Sequence, residues 1–414
     1  MSRLIRLLYV CAMPVCLVLA GCASPTSMIE GRSLLMDASF NPATQQIPSA
    51  EAIFAVSPEM RTYLKENPDF RNLARRLGDR EGLIESLYSR RMLQLDYESS
   101  ITRNASEAFA ARSGNCLSLV IMTAAFAQEL QLPVRFQSVY TEEFWSRSEN
   151  LYFMAGHVNL TLGTPSRQGG AAISLIEPDL LLIDFVRPEA LRGQRRIEID
   201  QRMIVAMYYN NRAVENLEEG HVDTAYWWVR AAVLHEPRFM ASFNTLAVIY
   251  RRHGDTEAAD AALRAVLRRE PDNIQSLSNL TLVLRDQKRF AEADQLQARM
   301  AELRPNPPFK FFDEGVEAMK AGQYAKARDL FKREIARSAY YHEFYFWLAL
   351  ADYALGNPRD ASKHLAQAIE NSPTRKTHDL YAAKLAWLEQ HDKPKDPQPY
   401  VMPTMPRGTP NGSY

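Results

Sequence analysis

The sequence predicts two unlike parts, an α+β domain followed by an all-α solenoid. Two observations carry this. From about residue 206 onwards, small residues and prolines recur every 34 positions. Before that, one helix-length apolar run, "CLSLVIMTAAFAQEL", is followed by shorter segments that alternate as strands do, "LPVRFQSVY" and "GHVNLTL". At 414 residues the chain is long enough for two domains. Its 49 Lys and Arg balance its 49 Asp and Glu, and no basic patch runs through either half, so nucleic acid is not an expected partner.

The first residues, "MSRLIRLLYVCAMPVCLVLAGC", read as an export leader: Arg3 and Arg6, an apolar stretch, then small residues. The apolar stretch is short for a bilayer span. Leu19-Ala20-Gly21-Cys22 resembles the lipobox of bacterial lipoproteins. The resemblance implies cleavage after residue 21 and lipid on Cys22, with Ala23 favouring the outer membrane and a body facing the periplasm. Residues 22–50 then read as the lipidated N-terminus and a tether. Loss of the leader removes Cys11 and Cys16, and lipid blocks Cys22, which leaves Cys116 as the one free thiol. Such a cysteine is either a small buried hydrophobe or a working nucleophile; in an oxidising compartment the second reading gains weight.

Residues 51–95 have apolar positions at helical spacing, and Ser57-Pro58 makes a helix start. Gly114-Asn115-Cys116 leads into the apolar run, whose helix is apolar nearly all round and belongs in a domain centre. A cysteine in the first turn of such a helix meets the positive end of the dipole and unpaired N–H groups, which favour the thiolate. The same groups suit an oxyanion. Asn115 is read as the helix cap, with an oxyanion contact as the alternative.

A thiolate nucleophile needs a base. His157 is the sole histidine before residue 200 and opens the strand "HVNLTL". "LLLIDF" delivers Asp184 at the end of a further strand, where a carboxylate orients an imidazole. Asp179 in "EPDLL" is the alternative third member. One cysteine and one histidine fall short of a zinc ligand set, and no phosphate-cradling glycine loop appears, so no metal or other cofactor is expected.

Cys, His and Asp in this order, with the block "GNCLSLVIMTAAFAQELQLPVRFQ", resemble the transglutaminase-like superfamily, a relative of the papain fold, over roughly residues 100–190. The resemblance implies an α+β domain over 51–205, with Cys116 as nucleophile, His157 as base and acid, and Asp184 as orienting carboxylate. Val158 and Asn159 depart from the aromatic that often follows the family's histidine.

In the second half, alanine holds 225, 259, 293, 327 and 361. Glycine holds 220, 254, 322 and 356, with Lys288 the exception. Pro237, Pro271, Pro305 and Pro373 share a third column. Small residues stand at Ala213, Ala247, Gly315 and Ala349, with Thr281 bulkier. Glycine ends one helix, alanine lets the second approach it, and proline stops the pair. This pattern resembles the tetratricopeptide repeat. It implies five units over 206–375, followed by a capping helix over 376–390; the prolines and lack of periodicity over 391–414 read as a disordered tail. Asn210, Asn244, Arg251, Arg285, Phe312 and Phe346 then face a groove suited to a protein or peptide partner.

The expected function is a lipid-anchored cysteine peptidase or amidase that works through an acyl-enzyme on a polypeptide recruited by the repeats. The alternatives are a non-catalytic adaptor and a protein cross-linking acyltransferase.

Overall fold

The computed structural model describes residues 31–391, apart from 44, 90–91, 94, 99–100, 141–144, 149–150, 155–156, 165–179, 186–194, 307–308, 340 and 373–374. The leader, Cys22, Asp179 and the Pro-rich tail beyond 391 lie outside the described residues.

The N-terminal region is α+β. A helical turn over 31–33 (α1) precedes four helices: α2 (Ala50–Ile53), α3 (Pro58–Glu66), α4 (Pro68–Leu77) and α5 (Asp79–Tyr88). Side chains of Ser49, Ser57 and Asn67 cap α2, α3 and α4, and prolines occupy the first turn of α3 and α4; the sequence suggests this for Ser57-Pro58. Short strand β1 (Asp96–Tyr97), helix α6 (Ala105–Ala111) and strand β2 (Ser113–Gly114) lead into α7 (Cys116–Glu129). Eleven of the fourteen residues of α7 are buried, from Leu117 to Ala127.

Helix α7 packs against β3 (Val134–Tyr140) and β6 (His157–Leu162) of a four-stranded antiparallel sheet. The sheet runs β7 (Leu181–Ile183), β6, β3, β8 (Arg195–Ile199). A separate hairpin pairs β4 (Trp145–Ser148) with β5 (Leu151–Met154). The register sets Val139 opposite His157 and Leu160 opposite Ile183. Every residue of β6 is buried, because the strand is central in the sheet and covered.

The helices α8 (Gln201–Glu218) to α17 (Pro358–Glu370) form five antiparallel pairs, and α18 (Arg375–His391) closes the stack. The alanine column is fully buried at all five positions, where helices cross. At Gly315 an added Cβ would lie 2.5 Å from the Phe331 ring, so the small column is a steric requirement there. The glycine column takes positive φ at the end of each first helix, and Lys288 adopts the same conformation at φ 62°. A single lysine in this region of backbone costs little beside a whole solenoid's packing.

Two sequence expectations need correction. The first repeat does not begin at 206: Asp200 caps α8, its carboxylate accepting from Met203 N at 2.9 Å, so the helix starts at 201. Ile204, Val205 and Tyr208 share one apolar core with α7 and β6, so the two parts meet without a linker. Nor is the stretch from 31 to 50 a free tether. Phe40, 6% exposed, stacks on Tyr226 with ring centres 3.9 Å apart. Tyr226 Oη donates to Asp37 at 2.6 Å, Tyr250 Oη to Leu34 O at 2.7 Å, and Trp227 Nε1 to Asn41 O at 2.6 Å. A low-complexity reading misses this because the partners lie some 190 residues away.

Candidate functional site

The thiol site is assembled by three elements of distant sequence. Asn115 caps α7: its Oδ1 accepts from Ser118 N at 2.9 Å and Ser118 Oγ at 2.8 Å. Its Nδ2 donates to Thr102 Oγ1 at 2.8 Å. Capping is therefore the observed role of Asn115. With Ser118 N given to the cap and Leu119 N to Asn115 O, the N–H groups of Cys116 and Leu117 are the two in the first turn without an intrahelical partner. Gly114 admits this turn; a Cβ there would lie 2.6 Å from Ser118 Cβ. Cys116 is a free cysteine, partly exposed.

His157, 3% exposed, opens β6 and has both Asp184 and the Cys116 side chain as hydrogen-bonding neighbours. Its Nε2 is 2.7 Å from Asp184 Oδ1. Nε2 being given to the carboxylate, the ring has Nδ1 left for the thiol. Burial pushes the imidazole towards its neutral form. The hydrogen bonds to Asp184 and Cys116 and the charges of both outweigh burial and lift the His157 pKa to about 9. His157 thus favours its charged imidazolium form.

Asp184 stands just beyond β7 and is held at both ends. Asn159 Nδ2 donates to its Oδ2 at 2.7 Å. Tyr88 Oη donates to its backbone O at 2.8 Å and accepts from its N at 3.3 Å. Sequence reasoning missed both partners. Asn159 had a signal, since in a strand of period two it shares a face with His157. Tyr88 had none, being 96 residues from Asp184.

Tyr97 is a third missed neighbour. β1 pairs in parallel with β2, which sets Tyr97 beside Gly114, two residues before the thiol. Tyr97 is 52% exposed; the protein packed around its ring, and after that the nearby Cys116 charge, push its phenol upward, so it stays protonated. Among the described residues no cluster of three or more His, Cys, Asp or Glu is arranged to hold a metal ion.

The six groove residues do not form one open surface. Asn210 is buried in α8 and Asn244 in α10 (Met240–His253), where Asn244 Oδ1 accepts from Asn279 Nδ2 at 3.2 Å. Arg251 bonds Asp286 at 2.5 Å, and Arg285 bonds Gln297 at 2.8 Å. Phe312, 4% exposed, packs 5.1 Å from Phe344, and Phe346, also 4% exposed, stacks 4.9 Å from Tyr381. These rings hold successive helices together, because aromatic side chains on an inner face first find each other.

The sequence profile of the tetratricopeptide repeat matches residues 244–308 and 312–375. The C-terminal half carries tetratricopeptide repeats. Among solved structures, a Pseudomonas aeruginosa pilF protein is 20% identical, with 46% of this chain and 87% of that one covered and a TM-score of 0.28. A tetratricopeptide-repeat protein of Thermus thermophilus is 19% identical, covering 44% and 99%, with a TM-score of 0.29. YrrB, described as a tetratricopeptide-repeat protein with an unusual peptide-binding site, is 18% identical, covering 43% and 92%, with a TM-score of 0.23. No curated protein matches the chain.

Proposed function

We propose that the chain is a transglutaminase-like cysteine acyl-transfer enzyme, acting as a peptidase or amidase on a polypeptide held by its repeats. The observation that supports this is the Cys116–His157–Asp184 constellation, with His157 Nε2 on the carboxylate at 2.7 Å and the Cys116 thiol a hydrogen-bonding neighbour of the same imidazole. In this reading the Cys116 thiolate attacks an amide carbonyl carbon, and the oxyanion meets the N–H groups of Cys116 and Leu117. The His157 imidazolium gives its proton to the leaving nitrogen, the C–N bond breaks, and a thioester remains. Water then gives a proton to His157 and attacks the thioester, releasing acid and restoring the thiolate. A lysine amine in place of water makes the same site a cross-linking acyltransferase. The tetratricopeptide repeats support a protein or peptide partner and equally suit a non-catalytic adaptor.

The lipobox-like Leu19–Cys22 supports anchorage by lipid, in the outer membrane and facing the periplasm. Among the described residues no helix is long and apolar enough to cross a membrane. Since residue 31 already packs near Val233 and Phe243, a lipid on Cys22 would stand no more than roughly 30 Å from that contact.

The test is alkylation of Cys116 by iodoacetamide against pH, read on its own peptide by mass spectrometry, in wild type and His157→Ala. A fast reaction extending well below neutral pH that His157→Ala abolishes supports the enzyme. A slow reaction indifferent to His157 leaves the adaptor.

A further inference from the structure

We infer that Glu215, a residue of the first repeat helix, is a positioning residue for the Cys116 site, acting through Thr102 and Asn115. This rests on the thiol reading above. Glu215 Oε1 accepts from Thr102 N at 2.7 Å, and its Oε2 accepts from Arg212 at 2.6 Å. Thr102 is 1% exposed, and its hydroxyl accepts from Asn115 Nδ2 at 2.8 Å. Asn115 in turn caps the helix whose first residue is the nucleophile. On the far side of the same loop, Arg103 N donates to Ser118 Oγ at 2.8 Å, and Arg103 bonds Glu98 at 2.8 Å. The loop over 101–104 is therefore clamped between α7 and α8, and the α8 half of the clamp is one carboxylate.

The repeat pattern singles this carboxylate out. Positions 34, 68 and 136 residues further on are Ile249, Val283 and Ala351, all essentially buried. The remaining equivalent, Glu317, is exposed and pairs with Lys320. A solenoid helix thus takes an apolar residue here, or a solvated one. In the first repeat it holds a partly buried glutamate, whose carboxyl burial pushes upward while Thr102 and Arg212 hold the charged form. A carboxylate is unfavourable at such a place unless its hydrogen bonds are met, and they are met by the loop behind the thiol. The catalytic helix is consequently set by the repeats, and a partner that shifts α8 acts on the thiol.

The experiment uses the full chain, with the Cys116 peptide read by mass spectrometry after iodoacetamide treatment across pH, and thermal melting alongside. Glu215→Ala is expected to fold, to alkylate about tenfold more slowly at neutral pH, and to move the rate profile to the alkaline side by about one unit. Glu215→Gln keeps an acceptor for Thr102 N and is expected to recover most of the rate. Thr102→Val is expected to reproduce the loss, and the double variant to add little to either. Gln201→Ala, which removes a 3.1 Å bond between the same two helices to Gln128, is expected to leave the profile at wild type. A folded Glu215→Ala with the wild-type profile overturns the proposal, as does an equal loss in Gln201→Ala. Should Glu215→Ala not fold, Glu215→Ile, which restores the apolar residue that Ile249 supplies one repeat on, decides by the same criteria. If the wild-type rate is itself indifferent to His157→Ala, the thiol reading fails first, and this proposal with it.

Discussion

Replacing Asp184 by asparagine separates the charge of this residue from its shape. The carboxylate accepts from His157 Nε2 at 2.7 Å and from Asn159 Nδ2 at 2.7 Å. An asparagine keeps an acceptor for the imidazole but turns its Nδ2 towards Asn159. That clash has a local remedy, because Asn159 Oδ1 is buried with no hydrogen-bond partner among the described residues, and a turned Asn159 amide presents this oxygen instead. The variant should therefore fold with the ring in place. What it loses is charge. A hydrogen bond to a charged group is worth about 1.5–3 kcal/mol against about 0.5–1.5 for a neutral one, a difference of roughly one pKa unit, with more from the lost attraction across the ring. The His157 pKa, about 9 in the native site, should fall by about one to two units. The assay is NMR titration of ¹³C-labelled histidine, with the His157 signal assigned by its absence from His157→Gln. A wild-type signal titrating near the free value of about 6.5, or one that Asp184→Asn leaves unmoved, refutes the ionised triad.

Other expectations follow from the same contacts. Because the folded His157 pKa stands above its unfolded value, its contribution is complete below about pH 6.5 and disappears as pH rises through 9. The stability gap between wild type and His157→Gln, read by melting at each pH, should accordingly shrink between pH 6.5 and 9.5, from at most about 3 kcal/mol; a gap constant with pH contradicts it. Gly114→Ala drives a methyl into Ser118 and should cost about 1–3 kcal/mol while slowing Cys116 alkylation, checked by melting and by the alkylation rate together. Phe40→Ala removes the ring stacked on Tyr226 and should cost about 3–5 kcal/mol locally. Limited proteolysis reads this directly: cleavage between 31 and 48 should become fast, and a wild-type pattern speaks against a docked segment.

The sequence by itself determined the repeats and the identity of the thiol, because both are local facts. A helix pair must have a small residue where its helices cross and a left-handed residue where it turns, so Ala225, Ala259, Ala293, Ala327 and Ala361 and the glycine column record the packing in their spacing. Cys116 stands out as the one cysteine beyond residue 22, and Asn115 as a cap by its place before an apolar run. The tertiary structure alone decided what meets that thiol's machinery. Tyr88 bonds the backbone of Asp184, Glu215 holds Thr102, and Phe40 lies on Tyr226, each across about 100 residues or more. No periodicity records such pairs, since the chain between them is free to vary. The inner-face phenylalanines show the opposite limit. Their register was legible, but whether Phe312 and Phe346 stay open to a ligand or close on Phe344 and Tyr381 depends on how adjacent helices pack, which a one-dimensional pattern does not contain.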